Sequence, residues 1–211
     1  EILQSAQMIW LRTGGNEDTL SPHISDLARQ ELNFDEIGPK ELENVPNLND
    51  GSIYTLMYVG FDPAGNISDT VKVEDVLYDI TSPIILISYP TSDIYTTESK
   101  MIFNINEDLY GFNIFWNGIG KNNKPHEITY LSDDKLLSGE YDSDNLFIPE
   151  LKDATTYEIT LNGNDRAGNK AEEVKLIDIK IDLTPPEFTN FYPKSGSFIN
   201  VVNIGWSLSE D

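Results

Sequence analysis

The stretch LNDGSIYTLMYVGFDPAGN occupies residues 48–66, and LKDATTYEITLNGNDRAGN occupies residues 151–169. The second begins 103 residues after the first and aligns with it without a gap. Leu48, Asp50, Tyr54, Gly60, Asp62, Ala64, Gly65 and Asn66 all meet identical residues. The same shift carries DITSP (79–83) onto DLTPP (182–186), YP at 89 onto YP at 192, and PH at 22 onto PH at 125. It also carries NED at 106–108 onto SED at 209–211. Register held over such a span identifies an internal repeat of about one domain length.

The two ends extend the pattern. Read tail to head, WSLSED and EILQSAQMIW rebuild the segment FNINEDLYGFNIFW from the middle of the chain, two residues longer. The expectation is a window about two repeats long, cut within a domain at both ends and taken from a longer tandem array. It would hold a domain over 1–80 lacking its first strands, a complete domain over 83–182, and the first strands of a third over 185–211. An alternative is strand exchange, in which the C-terminal strands of one chain complete the N-terminal domain of the next.

Composition narrows the class. The chain has 211 residues, 39% of them hydrophobic, which suits globular domains with cores of their own. Its formal charge of −22 opposes binding to nucleic acid phosphates or anionic membranes. No apolar run approaches the roughly 18–20 residues of a membrane span. With no cysteine, disulfides, thiolate catalysis and zinc–thiolate sites are excluded.

Alternating patterns predict strands throughout. In the complete repeat they fall at 84–89, 100–106, 111–117, 126–131, 144–148, 156–162 and 173–181. Tyr157, Ile159 and Leu161 alternate in one. Ile177, Ile179 and Ile181 alternate against Asp178 and Lys180 in another. The stretch HISDLARQEL (23–32) is read as strand because its counterpart after Pro125 reads as strand. Seven short strands in about 100 residues point to an all-β immunoglobulin-like sandwich. The pattern L-x-D-x-x-x-Y places Tyr54 and Tyr157 where a tyrosine corner forms, and Trp10 and Trp116 fall on the strand that carries a core tryptophan in such folds.

The block Y-x-x-x-x-x-G-x-D-x-A-G-N, a following strand, and D-x-T-x-P resemble the tandem bacterial Ig-like domains of large surface and secreted proteins. Tyr54, Gly60, Asp62, Ala64, Gly65, Asn66, Asp79, Thr81 and Pro83 carry the resemblance. So do Tyr157, Gly163, Asp165, Ala167, Gly168, Asn169, Asp182, Thr184 and Pro186. It covers nearly the whole chain. It implies head-to-tail sandwiches in an extracellular or cell-surface protein, acting as stalk, spacer, adhesive rod or accessory module. The expected partners are neighbouring Ig-like domains of the array or head-to-tail copies, with a cell-surface or glycan ligand as a further candidate. Fold alone does not decide among these roles.

The pentapeptide D-x-A-G-N reads first as a hairpin turn: Gly65 and Gly168 supply positive φ, while Asp62, Asn66, Asp165 and Asn169 bind nearby backbone N–H groups. Sandwich topology adds a second reading. The loops after the second and sixth strands meet at the end where the preceding linker arrives. Asp79, Glu107, Asp108 and Asp165 are then expected at one junction. Asp182, Glu210 and Asp211 are expected at the next, and Asp62 at the one before. Crowded carboxylates repel unless a cation or hydrogen bonds neutralise them. All-oxygen donors suit Ca²⁺ better than zinc. The short proline linkers would hold neighbouring domains at limited angles.

Other constellations carry less. His23 and His126, each after a proline, are expected to be structural. The acidic pairs at 132–134 and 141–144 lack the flanked cleft that glycosidase carboxylates need. No nucleophile elbow, P-loop or HExxH is present, and no enzyme activity is expected. The main functional expectation is therefore a structural or adhesive spacer, part of a surface filament. The alternative is a carbohydrate- or partner-binding module, for which Tyr110, Phe112 and Tyr130 are candidate platform residues.

Overall fold

The structure is a computed structural model that describes residues 3–32, 43–119, 126–131, 136–142 and 149–209. It divides into two units, Glu1–Thr81 and Ser82–Asp211.

The first unit holds β1 (Ser5–Gly15), β2 (His23–Asp26), β3 (Ser52–Phe61) and β4 (Val71–Tyr78). They form one antiparallel sheet in the order β2-β1-β3-β4. The strand expected over 23–32 covers only His23–Asp26, and a single 3-10 turn comes after it at Arg29–Glu31. There the Glu31 carboxylate accepts from the Ala28 N–H at 2.6 Å, a local alternative to ladder pairing.

The second unit holds β5 (Ile85–Tyr89), β6 (Tyr95–Thr96), β7 (Ile102–Ile105), β8 (Gly111–Ile119), β9 (His126–Leu131), β10 (Gly139–Tyr141), β11 (Thr155–Asn164) and β12 (Val174–Ile181). Two sheets result, β10-β7-β5 and β6-β12-β11-β8-β9. The chain crosses from one to the other between β5 and β6, and β6 lies parallel to β12. The expected strand at 144–148 lies outside the described residues. The shared core takes Ile85, Phe103, Ile105 and Tyr141 from the smaller sheet. From the larger it takes Phe112, Ile114, Trp116, Tyr157, Ile159, Leu161, Ile179 and Ile181. This is an immunoglobulin-like sandwich: two layers, antiparallel but for β6, with inward residues alternating along each strand. Tyr157, Ile159 and Leu161 are essentially sealed, and each such burial stabilises by about 1.5–3 kcal/mol.

The repeat seen in the sequence is a repeat of backbone detail. β1 pairs with β2 so that Trp10 faces His23, and β8 pairs with β9 so that Trp116 faces His126. β4 bulges at Glu74–Asp75 opposite Thr55, and β12 bulges at Ile177–Asp178 opposite Glu158. Asp75 and Asp178 share a left-handed φ of 57° at these bulges. Beyond β12, residues assigned to a third domain by sequence fall within the second unit. They form a two-stranded ribbon, β13 (Phe188–Tyr192) with β14 (Gly205–Leu208).

Candidate functional site

Each F–G turn is built by its own aspartate. In the first, the Asp62 Oδ1 accepts from the N–H groups of Ala64 (2.9 Å) and Asn66 (2.7 Å), and its Oδ2 accepts from the Asn66 side-chain amide at 2.6 Å. In the second, the Asp165 Oδ1 accepts from Gly168 (2.7 Å) and Asn169 (2.9 Å), and Oδ2 accepts from the Asn169 amide at 2.8 Å. Gly65 and Gly168 adopt φ of +87° and +97°, the conformation this turn requires. The hydrogen bonds hold the Asp62 carboxyl below its usual range, the Asn66 side chain contributing most. Asp165 is 3% exposed, whereas Asp62 is half-buried.

Within the second unit a carboxylate oxygen of Glu107 lies within 4.8 Å of one of Asp165. The loop carrying Glu107 is pinned at both ends. Asn106 exchanges hydrogen bonds with Ile84, its Oδ1 accepting from the Ile84 N–H at 2.6 Å, and the Tyr110 N–H donates to Asn164 O at 2.7 Å. Two negative groups this close repel. Asp165 Oδ2 accepts from the Asn169 side-chain amide, and a carboxylate oxygen carries two lone pairs. The arrangement is therefore able to accept a hard cation. Asp108 points elsewhere, its Oδ1 accepting from the Ser138 N–H at 2.8 Å. Glu210 and Asp211 lie outside the described residues.

The linker aspartates cap their own turns: Asp79 Oδ1 accepts from the Thr81 N–H (3.1 Å), and Asp182 Oδ1 from the Thr184 N–H (3.2 Å). A second aspartate that sequence reasoning left without a role clamps each linker. Asp50 accepts from the Ile80 N–H (2.8 Å) and the Thr81 hydroxyl (2.5 Å). Asp153 accepts from the Leu183 N–H (2.6 Å) and the Thr184 hydroxyl (2.6 Å). Both carboxyls are held below the usual range, chiefly by the threonine hydroxyls. The signal was present, since Asp50 and Asp153 coincide in the repeat and each D-x-T lies about 30 residues downstream.

Both tyrosine corners form. The Tyr54 hydroxyl accepts from the Asn49 N–H at 2.9 Å, and the Tyr157 hydroxyl from the Lys152 N–H at 3.0 Å. Trp10 meets the Tyr54 ring edge-on at 6.0 Å, and Trp116 meets Tyr157 at 6.2 Å. The first corner carries an addition. The Tyr54 hydroxyl donates to Asp18 Oδ2 at 2.5 Å, and the His23 Nε2 pairs with the same oxygen at 2.6 Å. His23 thus has a carboxylate partner five residues upstream, which spacing did not suggest. Of the platform candidates, Phe112 is buried in the core while Tyr110 is exposed; the side chain of Tyr130 lies outside the described residues.

No helix among the described residues is long and apolar enough to cross a membrane. No protein-family profile matches the sequence, and neither does any curated protein. Among solved structures, the chain is similar to the FN1–FN3 domains of chicken CNTN1, at 13% identity and a TM-score of 0.36. That match covers 83% of this chain and 56% of the CNTN1 chain.

Proposed function

We propose that this chain is a spacer segment of an extracellular tandem-repeat protein, with Ca²⁺ bound where one module meets the next. What carries the spacer reading is the recurrence, 103 residues apart, of one hydrogen-bonded apparatus: tyrosine corner, D-x-A-G-N turn and Asp–Thr linker clamp. Copies alike in their turns and linkers suit a rod whose neighbours are further modules or head-to-tail copies. The clamp fixes the start of each linker on the module it leaves. The linker proline then restricts its own φ and the backbone of the residue before it.

Glu107 and Asp165 supply the first two oxygen donors of the cation site. Asp79 is the third. Ile84, the residue before β5, is tied to Asn106, next to Glu107. Asp79 precedes Ile84 by five residues, so its Cα is tethered within about 17 Å of that point. Backbone carbonyls and water complete the shell of a hard cation. Calorimetric titration of the 211-residue chain with Ca²⁺ tests the reading. The expected result is binding on the order of 10⁻⁴–10⁻³ M, as for extracellular calcium modules, with a melting temperature above that in EDTA. Glu107→Gln, which leaves Asp165 itself in place, weakens binding. No heat and no melting shift would overturn the calcium assignment.

A further inference from the structure

A hollow in the second unit is lined in part by polar residues that the repeat does not keep. It lies beside β6, encloses 410 Å³ and is walled by Tyr89, Tyr95, Thr96, Thr97, Glu98 and Asp182. Small-molecule sites are on the order of 300–1,000 Å³. Shifted by 103 residues, the aromatic positions recur as Tyr192 and Phe198, but Thr96, Thr97 and Glu98 become Ile199, Asn200 and Val201. The hydroxyls and the carboxylate of this wall are thus absent from the next copy. Two adjoining hollows share its walls. One, of 220 Å³, takes in Tyr95, Lys180 and Asp182. The other, of 380 Å³, takes in Thr97 and Glu98.

Paired strands and short hydrogen bonds hold these groups in place. β6 carries Tyr95 and Thr96 and pairs with β12 through Lys180 and Ile181. The Lys180 ammonium sits 4.7 Å from the centroid of the Tyr95 ring, a cation–π contact. Tyr95 is nonetheless 69% exposed. The Tyr89 hydroxyl donates to Thr96 Oγ1 at 2.9 Å, and the same oxygen accepts from the Glu98 N–H at 3.1 Å. Asp182 Oδ1 is held by the Thr184 N–H. Side chains set on strands and fixed by such bonds are positioned before any ligand arrives, which lowers the entropy cost of binding.

The wall selects the class of ligand. The main hollow has no Leu, Ile or Val in its lining, so it does not suit a lipid or other apolar ligand. Glu98 and Asp182 oppose an anion. Lys180 already holds the cation position at the Tyr95 ring and repels a second cation there. A neutral polyol meets none of these objections. A pyranose offers an apolar C–H face to an aromatic ring, whose π face is negative. Its rim hydroxyls donate to carboxylates in charge-assisted hydrogen bonds. We propose that this hollow binds a neutral oligosaccharide, with Tyr95 as the stacking platform and Glu98 and Asp182 as acceptors for sugar hydroxyls. A chain of β-1,4-linked glucose suits it best, because its equatorial hydroxyls leave C–H groups on both faces of each unit. The adjoining hollows give room for further units. The site goes beyond the spacer role and shares no residue with the Glu107–Asp165 cation site, and the test is run in EDTA to keep the two apart.

Calorimetric titration of the 211-residue chain with cellohexaose is expected to show binding. Hexagalacturonate, an anionic chain of the same length, is expected to show none. Tyr95→Ala is expected to weaken cellohexaose binding about tenfold or more, the loss that follows removal of an aromatic anchor. Glu98→Gln keeps the shape of the side chain, removes its charge and is expected to weaken binding by a smaller factor. Tyr110→Ala removes an exposed tyrosine outside the hollow and is expected to change nothing. All three side chains are exposed, and an unchanged melting temperature confirms that the variants fold. A chain that does not bind cellohexaose overturns the proposal. So does equal binding of hexagalacturonate, or binding that survives Tyr95→Ala or is lost as fully in Tyr110→Ala.

Discussion

Trp10 and Trp116 hold the same place in two copies of one sheet, yet only one of them is sealed. Each sits on the strand before a long loop, faces a histidine across the ladder and meets a tyrosine edge-on. Trp116 is 2% exposed beneath the second layer. Trp10 is half-buried, and its indole Nε1 is shielded from water without a hydrogen-bond partner among the described residues. The comparison separates two levels of the fold. Turn chemistry and strand register are set by local residues and repeat with them. Burial is set by the layer packed above, and it differs between the copies. A buried donor left unpaired costs about 1–3 kcal/mol, so Trp10 contributes less than its volume suggests.

The sharpest way to break this comparison is to truncate both rings. Trp116→Ala is expected to cost about 3–5 kcal/mol, the range for an aromatic removed from a closed core. Trp10→Ala, which opens a smaller cavity and removes an unpaired donor, is expected to cost less than half of that. Denaturant unfolding, with amide exchange on β11 and β3 to assign the units, measures both. Equal losses would mean that the second layer is not what distinguishes the copies. A smaller contrast is expected at the turns. Asp165→Ala removes the buried carboxylate that accepts from the Gly168 and Asn169 N–H groups, at about 1–3 kcal/mol. Asp62→Ala leaves its N–H groups to water and is expected to move stability by less. The same unfolding experiment ranks the pair.

The parts legible in sequence are those with short-range causes. Tyr54 and Tyr157, the two D-x-A-G-N turns and the strands around them could be placed because L-x-D-x-x-x-Y and Gly at positive φ dictate local geometry. The Asp50 and Asp153 clamps were harder, because their partners Thr81 and Thr184 lie about 30 residues away in sequence. An aspartate in a corner motif has more than one use. The 3-10 turn at Arg29–Glu31 was missed for a different reason. Reading 23–32 by its counterpart assumed that the copies stay equal, and this is the segment where they diverge. The pair Glu107–Asp165 was legible through topology: pinning the second-strand loop to Ile84 and Asn164 brings it beside the F–G turn. Asp108, its neighbour, faces Ser138 instead, because successive residues of a tight loop cannot point the same way.

Acid sharpens the remaining difference between the copies. Asp18 in the first unit takes the hydroxyl proton of Tyr54 in a hydrogen bond and pairs with His23. These bonds, the Tyr54 hydroxyl first, lower its carboxyl from 3.8 to about 2. The second unit shows no such bond at Tyr157 among the described residues, whose hydroxyl accepts only from Lys152. A carboxyl whose folded pKa is depressed binds its proton more readily when unfolded, so unfolding is favoured as pH falls. The stability it contributes is whole above pH 3.8 and is lost between there and about 2. Asp50 and Asp62 in the first unit, and Asp153 in the second, are lowered in the same sense and add acid sensitivity to both. The Asp18 contribution has no counterpart at Tyr157 among the described residues. In acid titrations monitored by amide exchange, β3 is expected to lose protection at a higher pH than β11. Asp18→Asn removes the titrating group and is expected to bring the two profiles together. If the gap between β3 and β11 persists in that variant, the difference in acid sensitivity comes from elsewhere in the two units and not from the Tyr54–Asp18–His23 cluster.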